Sequence, residues 1–484
     1  MERRHYHLIG IGGTAMASLA GLLQAAGHEV TGSDEGVYPP MSDLLSSLGI
    51  GYRQGYGPQN LERTPDVVIV GNAISRGNAE LESVLNRKLR YTSAAATIKE
   101  EFIRGRHCLA VAGTHGKTTT TSLLAWILER AGFAPAFLIG GVAENFGTSF
   151  RLTPSKYFVI EADEYDTAYF DKGPKMWHYL PDTAIVNNIE FDHADIFRDE
   201  TAYRWAFARF INLIPSNGTL VAGWDSPAVR EMAKSSFAPV ESFGYGDAGA
   251  WGDAPPQWHA EDVTFESDAT RFTVWHDGAV WGSVETPLAG AFNVRNILAA
   301  IAAAAAVGAD ADAVRDAVRT FRSVRRRMEV RGEIGGITVI DDFAHHPTAV
   351  RETIQATRQR YPGRRLVAIF EPRSYTAQRR EFQTGYQESL ALADEVVLGA
   401  LFHPERYTPE TAMDPVELLA AWRAAGLTAN HITEPDLIAR HLTSSARPGD
   451  ILLIMSNGGF GGLHGKLIAG LAGRFGTAAG KPAA

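Results

Sequence analysis

The segment that most constrains this chain covers residues 109–119. Apolar residues at 109–112 are followed by Gly-Thr-His-Gly-Lys-Thr-Thr and then, at 122–131, by residues with helical spacing. A strand that enters a helix through a glycine-rich turn directs backbone N–H groups and the helix N-terminus at one point, where a phosphate can bind. The Lys117 amine can reach the β- and γ-phosphates of a nucleotide, and the Thr118 hydroxyl can bind Mg²⁺. The order of strand, turn, lysine and helix favours this interpretation over a turn with an exposed lysine.

The loop differs in spacing from the usual phosphate-binding motif. Val111 stands where G-x-x-x-x-G-K-T has its first glycine, so the chain carries the shorter form G-x-x-G-K-T-T. The ATP-binding residues predicted from this loop are Gly113, Thr114, His115, Gly116, Lys117, Thr118 and Thr119.

Two acidic segments follow later strands. The strand at 158–160 runs into Glu161-Ala-Asp-Glu, and the strand at 184–186 runs into a segment that ends near His193. Carboxylates at strand ends beside a phosphate loop can hold Mg²⁺, and a histidine there can help to bind a second ion. Each segment alone is more typical of a solvated acidic loop. Together, behind the phosphate loop, they favour a metal site of Thr118, Glu161 and His193.

Two further features precede the third section of the chain. Asn293 and Asn296 flank the start of an alanine-rich helix, where an asparagine either caps the helix or reads the edge of an adenine. The run 325–327 is Arg-Arg-Arg. Such a run is usually a solvated face, but at a domain junction an arginine can bind the γ-phosphate and stabilise transferring charge.

The 484 residues are too many for one ordinary core. Strands alternate with helical stretches in three sections, which predicts an α/β protein with mostly parallel sheets. We expect a Rossmann-like domain at 1–106, a central phosphate-loop domain at 107–330 and a second Rossmann-like domain at 331–484. Asp277-Gly278 predicts a hairpin within the central section.

Composition excludes several classes of protein. The formal charge is −9, from 46 Lys and Arg against 55 Asp and Glu, which argues against a nucleic-acid binder. Cys108 is the one cysteine, so a disulfide scaffold is excluded. The sequence has no apolar run of 18 residues and no signal peptide at its start, which predicts no membrane association and a place in the bacterial cytoplasm. Oligomeric state stays open.

In their order along the chain, seven segments resemble those of the Mur ligases, and the resemblance covers nearly the whole sequence. They start at Gly10, Gly113, Glu161, Glu190, Gly290, Arg325 and Asp341. The resemblance implies ATP and Mg²⁺ as cofactors, and it implies formation of an amide bond through an acyl phosphate.

Within the family, one group of enzymes adds L-alanine to UDP-N-acetylmuramate. Another adds the tripeptide L-alanyl-γ-D-glutamyl-meso-diaminopimelate to the same sugar nucleotide during murein recycling. The segments at 71–78, 161–172, 370–374 and 455–462 are similar to the second group. The tripeptide is therefore the expected substrate and the alanine enzyme the alternative. The third peptide residue, meso-diaminopimelate or lysine, stays open.

The resemblance also implies roles for individual residues. Those expected to bind the UDP-sugar are Gly10, Gly12, Gly13, Thr14, Asp34 and Asn72. The nucleotide would contact Asn293, Asn296, Arg327 and Asp342. Residues expected to bind the peptide are Arg373, Ser456 and Asn457. Lys117 and Arg327 would stabilise the transferring phosphate, and His346 or Asp342 would take the proton from the amine. His345 would lie close by.

Two readings from other classes compete. Gly10-Ile-Gly-Gly resembles a dinucleotide-binding fingerprint, but Ala15 stands at its third glycine, which weighs against a nicotinamide oxidoreductase. A regulator that binds nucleotide without chemistry would leave Glu161 and His193 without a role.

Overall fold

The computed structural model of the chain describes residues 2–38, 41–246, 248–251 and 255–476. Three sheets, each flanked by helices, follow one another along the chain. The predicted α/β class with three successive, mainly parallel sheets is confirmed, while the boundaries at 106 and 330 stay predictions.

The first sheet has five strands in the order β3-β2-β1-β4-β5, all parallel. Its strands are β1 His5–Ile9, β2 Glu29–Asp34, β3 Tyr52–Gln54, β4 Val67–Val70 and β5 Tyr91–Ser93. Its helices are α1 Thr14–Ala25, α2 Met41–Ser47, α3 Ala79–Asn86 and α4 Ala94–Ile98. The chain leaves β1 for β2 on one side and later returns to β4 on the other, so the carboxyl end of β1 is a topological switch point.

The second sheet has ten strands in the order β17-β16-β15-β14-β13-β12-β6-β9-β7-β8. Its strands, with the separate hairpin β10–β11, are β6 His107–Ala112, β7 Ala136–Ala143, β8 Thr148–Arg151, β9 Tyr157–Glu161, β10 Asp166–Ala168, β11 Asp171–Pro174, β12 Thr183–Val186, β13 Thr219–Gly223, β14 Val240–Gly244, β15 Trp258–Phe265, β16 Thr270–His276 and β17 Ala279–Thr286. Its helices are α5 Lys117–Arg130, α6 Glu200–Ile211, α7 Pro227–Ala233, α8 Ala291–Ala306 and α9 Ala311–Arg319. The predicted hairpin is β16–β17.

The third sheet has six strands in the order β18-β19-β23-β20-β21-β22, and all pairs except β18–β19 are parallel. Its strands are β18 Glu329–Ile334, β19 Ile337–Asp342, β20 Leu366–Phe370, β21 Glu395–Leu398, β22 Thr428–His431 and β23 Ile451–Met455. Its helices are α10 Pro347–Arg360, α11 Gln383–Leu390, α12 Pro415–Ala424, α13 Pro435–Ser445 and α14 Leu463–Phe475.

The buried strands explain this architecture. All residues of β1, β4, β12 and β20 are buried, as expected of strands that helices cover on both faces. Helix α8 is almost wholly buried, and its run of alanines allows it to pack closely on α5 and the central sheet. Within the described residues, no helix is long and apolar enough to cross a membrane.

Candidate active site

The phosphate loop has the shape that its sequence predicts. It connects β6 to α5, and Gly113 and Gly116 have φ of +135° and +81°. A Cβ atom on Gly116 would lie 2.3 Å from the Oδ1 atom of Asn296. Both the backbone conformation and this close approach therefore require glycine at 116. Asn296 packs directly on the loop.

Lys117 is held by a buried carboxylate. Its Nζ atom lies 2.9 and 2.7 Å from the two carboxylate oxygens of Glu164, which is fully buried. Burial alone would lower the pKa of Lys117, but the negative charges of Glu164 and Asp163 outweigh burial and raise it. Lys117 is therefore a charged ammonium at the mouth of the loop.

Glu164 also accepts hydrogen bonds from His193 Nε2 at 3.1 Å and from the Tyr203 hydroxyl at 3.2 Å. The pKa of His193 is raised to about 9, because the carboxylates of Asp192 and Glu164 outweigh the opposing effect of burial. His193 thus lies with Glu164 and Lys117, and no hydrogen bond joins it to Glu161.

Thr118 and Glu161 meet as predicted. The Thr118 hydroxyl donates to Glu161 Oε1 at 3.0 Å, and Arg327 donates to the same hydroxyl at 3.2 Å. Burial raises the pKa of Glu161, against the opposing charges of Lys117 and Arg327. Two side-chain oxygens and an arginine from the junction with the third domain therefore converge at the N-terminus of α5.

The segment after β12 is hydrogen-bonded to the other side of the phosphate loop. The backbone N–H of His115 donates to Asn188 Oδ1 at 2.8 Å, and the Thr114 hydroxyl contacts the carbonyl of Glu190 at 2.9 Å. Asn187 donates to the Thr120 hydroxyl at 3.1 Å. The loop is fixed by residues more than 60 positions away in the chain.

The two asparagines of α8 do not cap that helix, whose N-cap is Gly290 with no side-chain hydrogen bond. Asn293 donates to the carbonyl of Ala289 at 2.8 Å and accepts from Asn296 at 3.1 Å. The capping alternative is therefore wrong, and a contact with adenine stays a prediction.

The Asp342 carboxylate holds two backbone N–H groups. Its carboxylate accepts from the backbone N–H groups of Met328 at 2.7 Å and Ala344 at 2.8 Å, and burial raises its pKa. The His345 ring, which the sequence also sets near the nucleotide, contacts the carbonyl of Phe343 at 3.0 Å.

His346 caps α10 and faces the phosphate loop. Its ring centroid lies 4.8 Å from that of His115, and its Nδ1 atom lies 3.7 Å from Glu190. Burial and the neighbouring His115 lower the pKa of His346 to about 4. The ring is therefore neutral at pH 7.

In the first domain, the turn after β1 leads into α1. Gly13 is the N-cap of α1 with no side-chain hydrogen bond, and both Gly13 and Thr14 are exposed. Asp34 accepts from the backbone N–H of Gly12 at 2.8 Å and fixes the turn. The Gly10 N–H donates instead to the carbonyl at the end of β2. The turn thus presents an open helix N-terminus.

Asn72 contacts the neighbouring domain. Its amide donates to Asp166 of β10 at 3.0 Å, and Asp166 also pairs with Lys172. Asn72 therefore ties the first domain to the β10–β11 hairpin of the central domain.

The predicted peptide-binding residues form one group at the carboxyl ends of β20 and β23. The Arg373 guanidinium stacks on the ring of Phe402, 3.7 Å from its centroid. Ser456 is fully buried and donates to Glu371. The Oδ1 atom of Asn457 is buried, and no partner for it is present among the described residues.

Sequence reasoning missed three residues of this region. Glu164 belongs to the acidic segment that starts at Glu161, and its position just after a strand was the signal that could have identified it. Glu190 lies between His115 and His346. Arg406 lies 5.4 Å from the centroid of the Tyr375 ring, and among the described residues it has no ion pair with a carboxylate. No local pattern marks Arg406.

Comparison with protein families matches three consecutive models. They are the Mur ligase family catalytic domain at residues 5–104, the Mur ligase middle domain at 111–304 and the Mur ligase glutamate ligase domain at 326–458. The fold and the phosphate loop define a nucleotide-binding protein of three α/β domains, and the chain belongs to the Mur ligase family. This excludes the reading as a nicotinamide oxidoreductase.

Individual relatives refine this assignment. The chain is 44% identical over 470 residues to the UDP-N-acetylmuramate–L-alanyl-γ-D-glutamyl-meso-2,6-diaminoheptandioate ligase of Escherichia coli K12, covering 96% of this chain and 98% of the relative. It is 33% identical over 477 residues to the UDP-N-acetylmuramate–L-alanine ligase of Variovorax paradoxus, covering 96% of this chain and 94% of that protein. The crystal structure of a murein peptide ligase from Psychrobacter arcticus matches with a TM-score of 0.72 and 37% identity, covering 99% of this chain and 100% of that one.

Proposed function

We propose that this chain is an ATP-dependent ligase that joins the lactyl carboxylate of UDP-N-acetylmuramate to L-alanyl-γ-D-glutamyl-meso-diaminopimelate in murein recycling. One observation carries the choice of peptide. Identity over nearly the whole chain is 44% to a relative named for the tripeptide, against 33% to one named for L-alanine. We expect the enzyme to act in the cytoplasm.

In the proposed reaction, the lactyl carboxylate attacks the γ-phosphate of ATP and forms an acyl phosphate and ADP. Lys117 at the loop mouth and Arg327, which already reaches the Thr118 hydroxyl, would neutralise the charge that develops on the phosphoryl oxygens. For Lys117 to reach the phosphate, its ammonium would have to leave Glu164 in part. The bound phosphate would replace the lost carboxylate contact.

Thr118 and Glu161 fit a magnesium ion. Their oxygens are 3.0 Å apart beside the phosphate loop, and hard divalent cations prefer oxygen ligands. An ion there would screen the phosphate charge. His193, charged at pH 7 and bonded to Glu164, would join the ligands only after losing its proton.

The peptide amine would then attack the acyl carbon, and the tetrahedral adduct would release phosphate and leave an amide. Both carboxylate oxygens of Asp342 accept backbone N–H groups. His346 is neutral and faces the phosphate loop, so its ring is the candidate to accept the proton from the amine, and its lowered pKa makes it a weaker base than a free histidine.

The carboxylates of the peptide would be bound by Arg373 and Arg406. The two arginines lie on neighbouring loops, which are joined by hydrogen bonds from Phe402 to Pro372 and from Arg406 to the Tyr375 hydroxyl. Guanidinium groups that aromatic rings hold in place lose little freedom when they bind a carboxylate.

Mass spectrometry of the sugar-nucleotide product tests the proposal. Purified protein would be incubated with ATP, Mg²⁺ and UDP-N-acetylmuramate, with L-alanine, the tripeptide or its lysine analogue in parallel tubes. UDP-muramyl-tripeptide formed in one step is the expected product. UDP-muramyl-alanine alone would identify the alanine enzyme instead.

A further inference from the structure

We propose that His115, Glu190 and His346 form a binding site for a transition-metal ion of the Zn²⁺ type, separate from the position at Thr118 and Glu161. Each residue offers one ligand atom, and the three atoms lie within 4.8 Å of one another. The proposal does not rest on which amide the enzyme forms, because binding of the ion can be measured without turnover.

The spacing suits tetrahedral coordination. Two ligands bound to Zn²⁺ at about 2.0–2.1 Å and at the tetrahedral angle lie about 3.3 Å from each other. The Nε2 atom of His115 lies 3.3 Å from Glu190 Oε2, and Nδ1 of His346 lies 3.7 Å from the same oxygen. Two of the three ligand pairs are therefore within a few tenths of an ångström of the tetrahedral spacing, and the third pair, His115 and His346, lies within 4.8 Å.

The ligand types select the ion. Two imidazoles and one carboxylate match the ligands of zinc sites with an open fourth position, whereas Mg²⁺ prefers oxygen alone. The Thr348 hydroxyl donates to Glu190 Oε2 at 2.6 Å and orients this carboxylate from outside. The ion would replace two long hydrogen bonds, one of 3.4 Å from the Thr348 N–H to His346 Nδ1 and one of 3.3 Å between His115 Nε2 and Glu190 Oε2.

Such an ion would be inhibitory. His115 belongs to the phosphate loop of the central domain, and His346 caps α10 of the third domain. A bound ion would tie these two elements together beside the position proposed for the phosphates. We therefore expect Zn²⁺ and ATP to weaken each other's binding.

Titration of the full chain with Co²⁺, in the presence of excess Mg²⁺, tests the site. The visible absorption of tetrahedral cobalt should appear on binding and disappear when Zn²⁺ is added. Glu190→Gln and His346→Asn should each weaken binding at least tenfold, since the loss even of supporting groups costs about 10–100-fold. Asparagine also preserves the cap of α10. His403→Asn, in the exposed pair of His403 and Glu405, is the matched control and should leave binding unchanged.

Either of two results would overturn the proposed site. Equal cobalt affinity in the wild type and in both cluster variants would overturn the site, as would binding without the tetrahedral spectrum. Thermal melts should show that Zn²⁺ raises the melting temperature of the wild type and of His403→Asn only. If either cluster variant fails to fold, Thr348→Val replaces it, because it removes the donor to Glu190 and keeps a branched side chain of similar size.

Discussion

The turn after β1 and the turn after β6 have the same backbone arrangement but different surroundings. Each follows a central strand of a mostly parallel sheet and leads into a helix N-terminus that has no side-chain cap. The first turn leaves Gly13 and Thr14 exposed and has one carboxylate, Asp34, bonded to its backbone. We expect this turn to bind an anionic group and leave it unchanged.

The second turn is surrounded by charge. Lys117 pairs with Glu164, Thr118 with Glu161, and Arg327 reaches in from the junction with the third domain. A helix N-terminus provides part of the attraction for a phosphate in both turns. We propose that the ammonium, the guanidinium and the carboxylate added around the second turn are what suit it to phosphoryl transfer.

Loss of Lys117 should give the largest effect, because it should impair the second turn and leave the first turn unchanged. Lys117→Met should reduce kcat by about 10³-fold or more, because removal of a charge that stabilises the transferring phosphate has effects of this size. Binding of the UDP-sugar at the first turn should not change, as calorimetry would show. Lys234→Met, at an exposed position, is the control. Ligation that survives in Lys117→Met would refute the proposed role of this turn.

Glu164→Gln should have the next largest effect. It leaves the buried Lys117 without its counter-ion, and breaking a buried ion pair typically costs about 3–5 kcal/mol. Denaturant unfolding should therefore show a clear loss of stability, and kcat should fall with it. Tyr203→Phe removes a hydroxyl from the same carboxylate but keeps the charge pair, so its loss should be smaller. Equal losses in the two variants would mean that packing, and not charge, explains the effect.

Alanine substitutions at the N-caps of α5 and α1 compare the backbone strain of the two turns. Gly116→Ala should destabilise the fold by about 1–2 kcal/mol or more, because φ is +81° and the added Cβ would meet Asn296. Gly13→Ala should change the free energy of unfolding by less than about 0.5 kcal/mol, since φ is −66° and the nearest atom lies 3.7 Å away. Chemical denaturation of both variants measures the difference. Equal costs would contradict the different strain assigned to the two turns.

Asp34→Asn should act on the first turn alone. The variant weakens a charge-assisted hydrogen bond worth about 1.5–3 kcal/mol, so the KM for the UDP-sugar should rise about tenfold or more. The KM for ATP should stay the same. Asp43→Asn, exposed on α2, serves as the matched control. A parallel rise in the KM for ATP would show that the two turns are coupled.

Most of the fold could be predicted because its signals are local. The apolar runs of β4, β20 and β23 and the Asp-Gly turn of the hairpin each encode an element within a few residues. The capping role considered for Asn293 and Asn296 was wrong, because local sequence does not determine which residue caps the helix. Whether an asparagine caps its helix depends on backbone geometry at the preceding residue, and here Gly290 occupies the N-cap.

The phosphate loop, the three successive sheets and the meeting of Thr118 with Glu161 could all be predicted from the sequence. Parallel strands bring their carboxyl ends to one edge, so residues that follow neighbouring strands meet there without further information. Three contacts could not be predicted and are seen in the folded chain alone: Lys117 pairs with Glu164, Asp342 accepts from Met328, and Glu190 lies between His115 and His346. The last of these contacts joins two domains, and others depend on rotamers. Their geometry is fixed by how the domains and side chains pack, which no local pattern encodes.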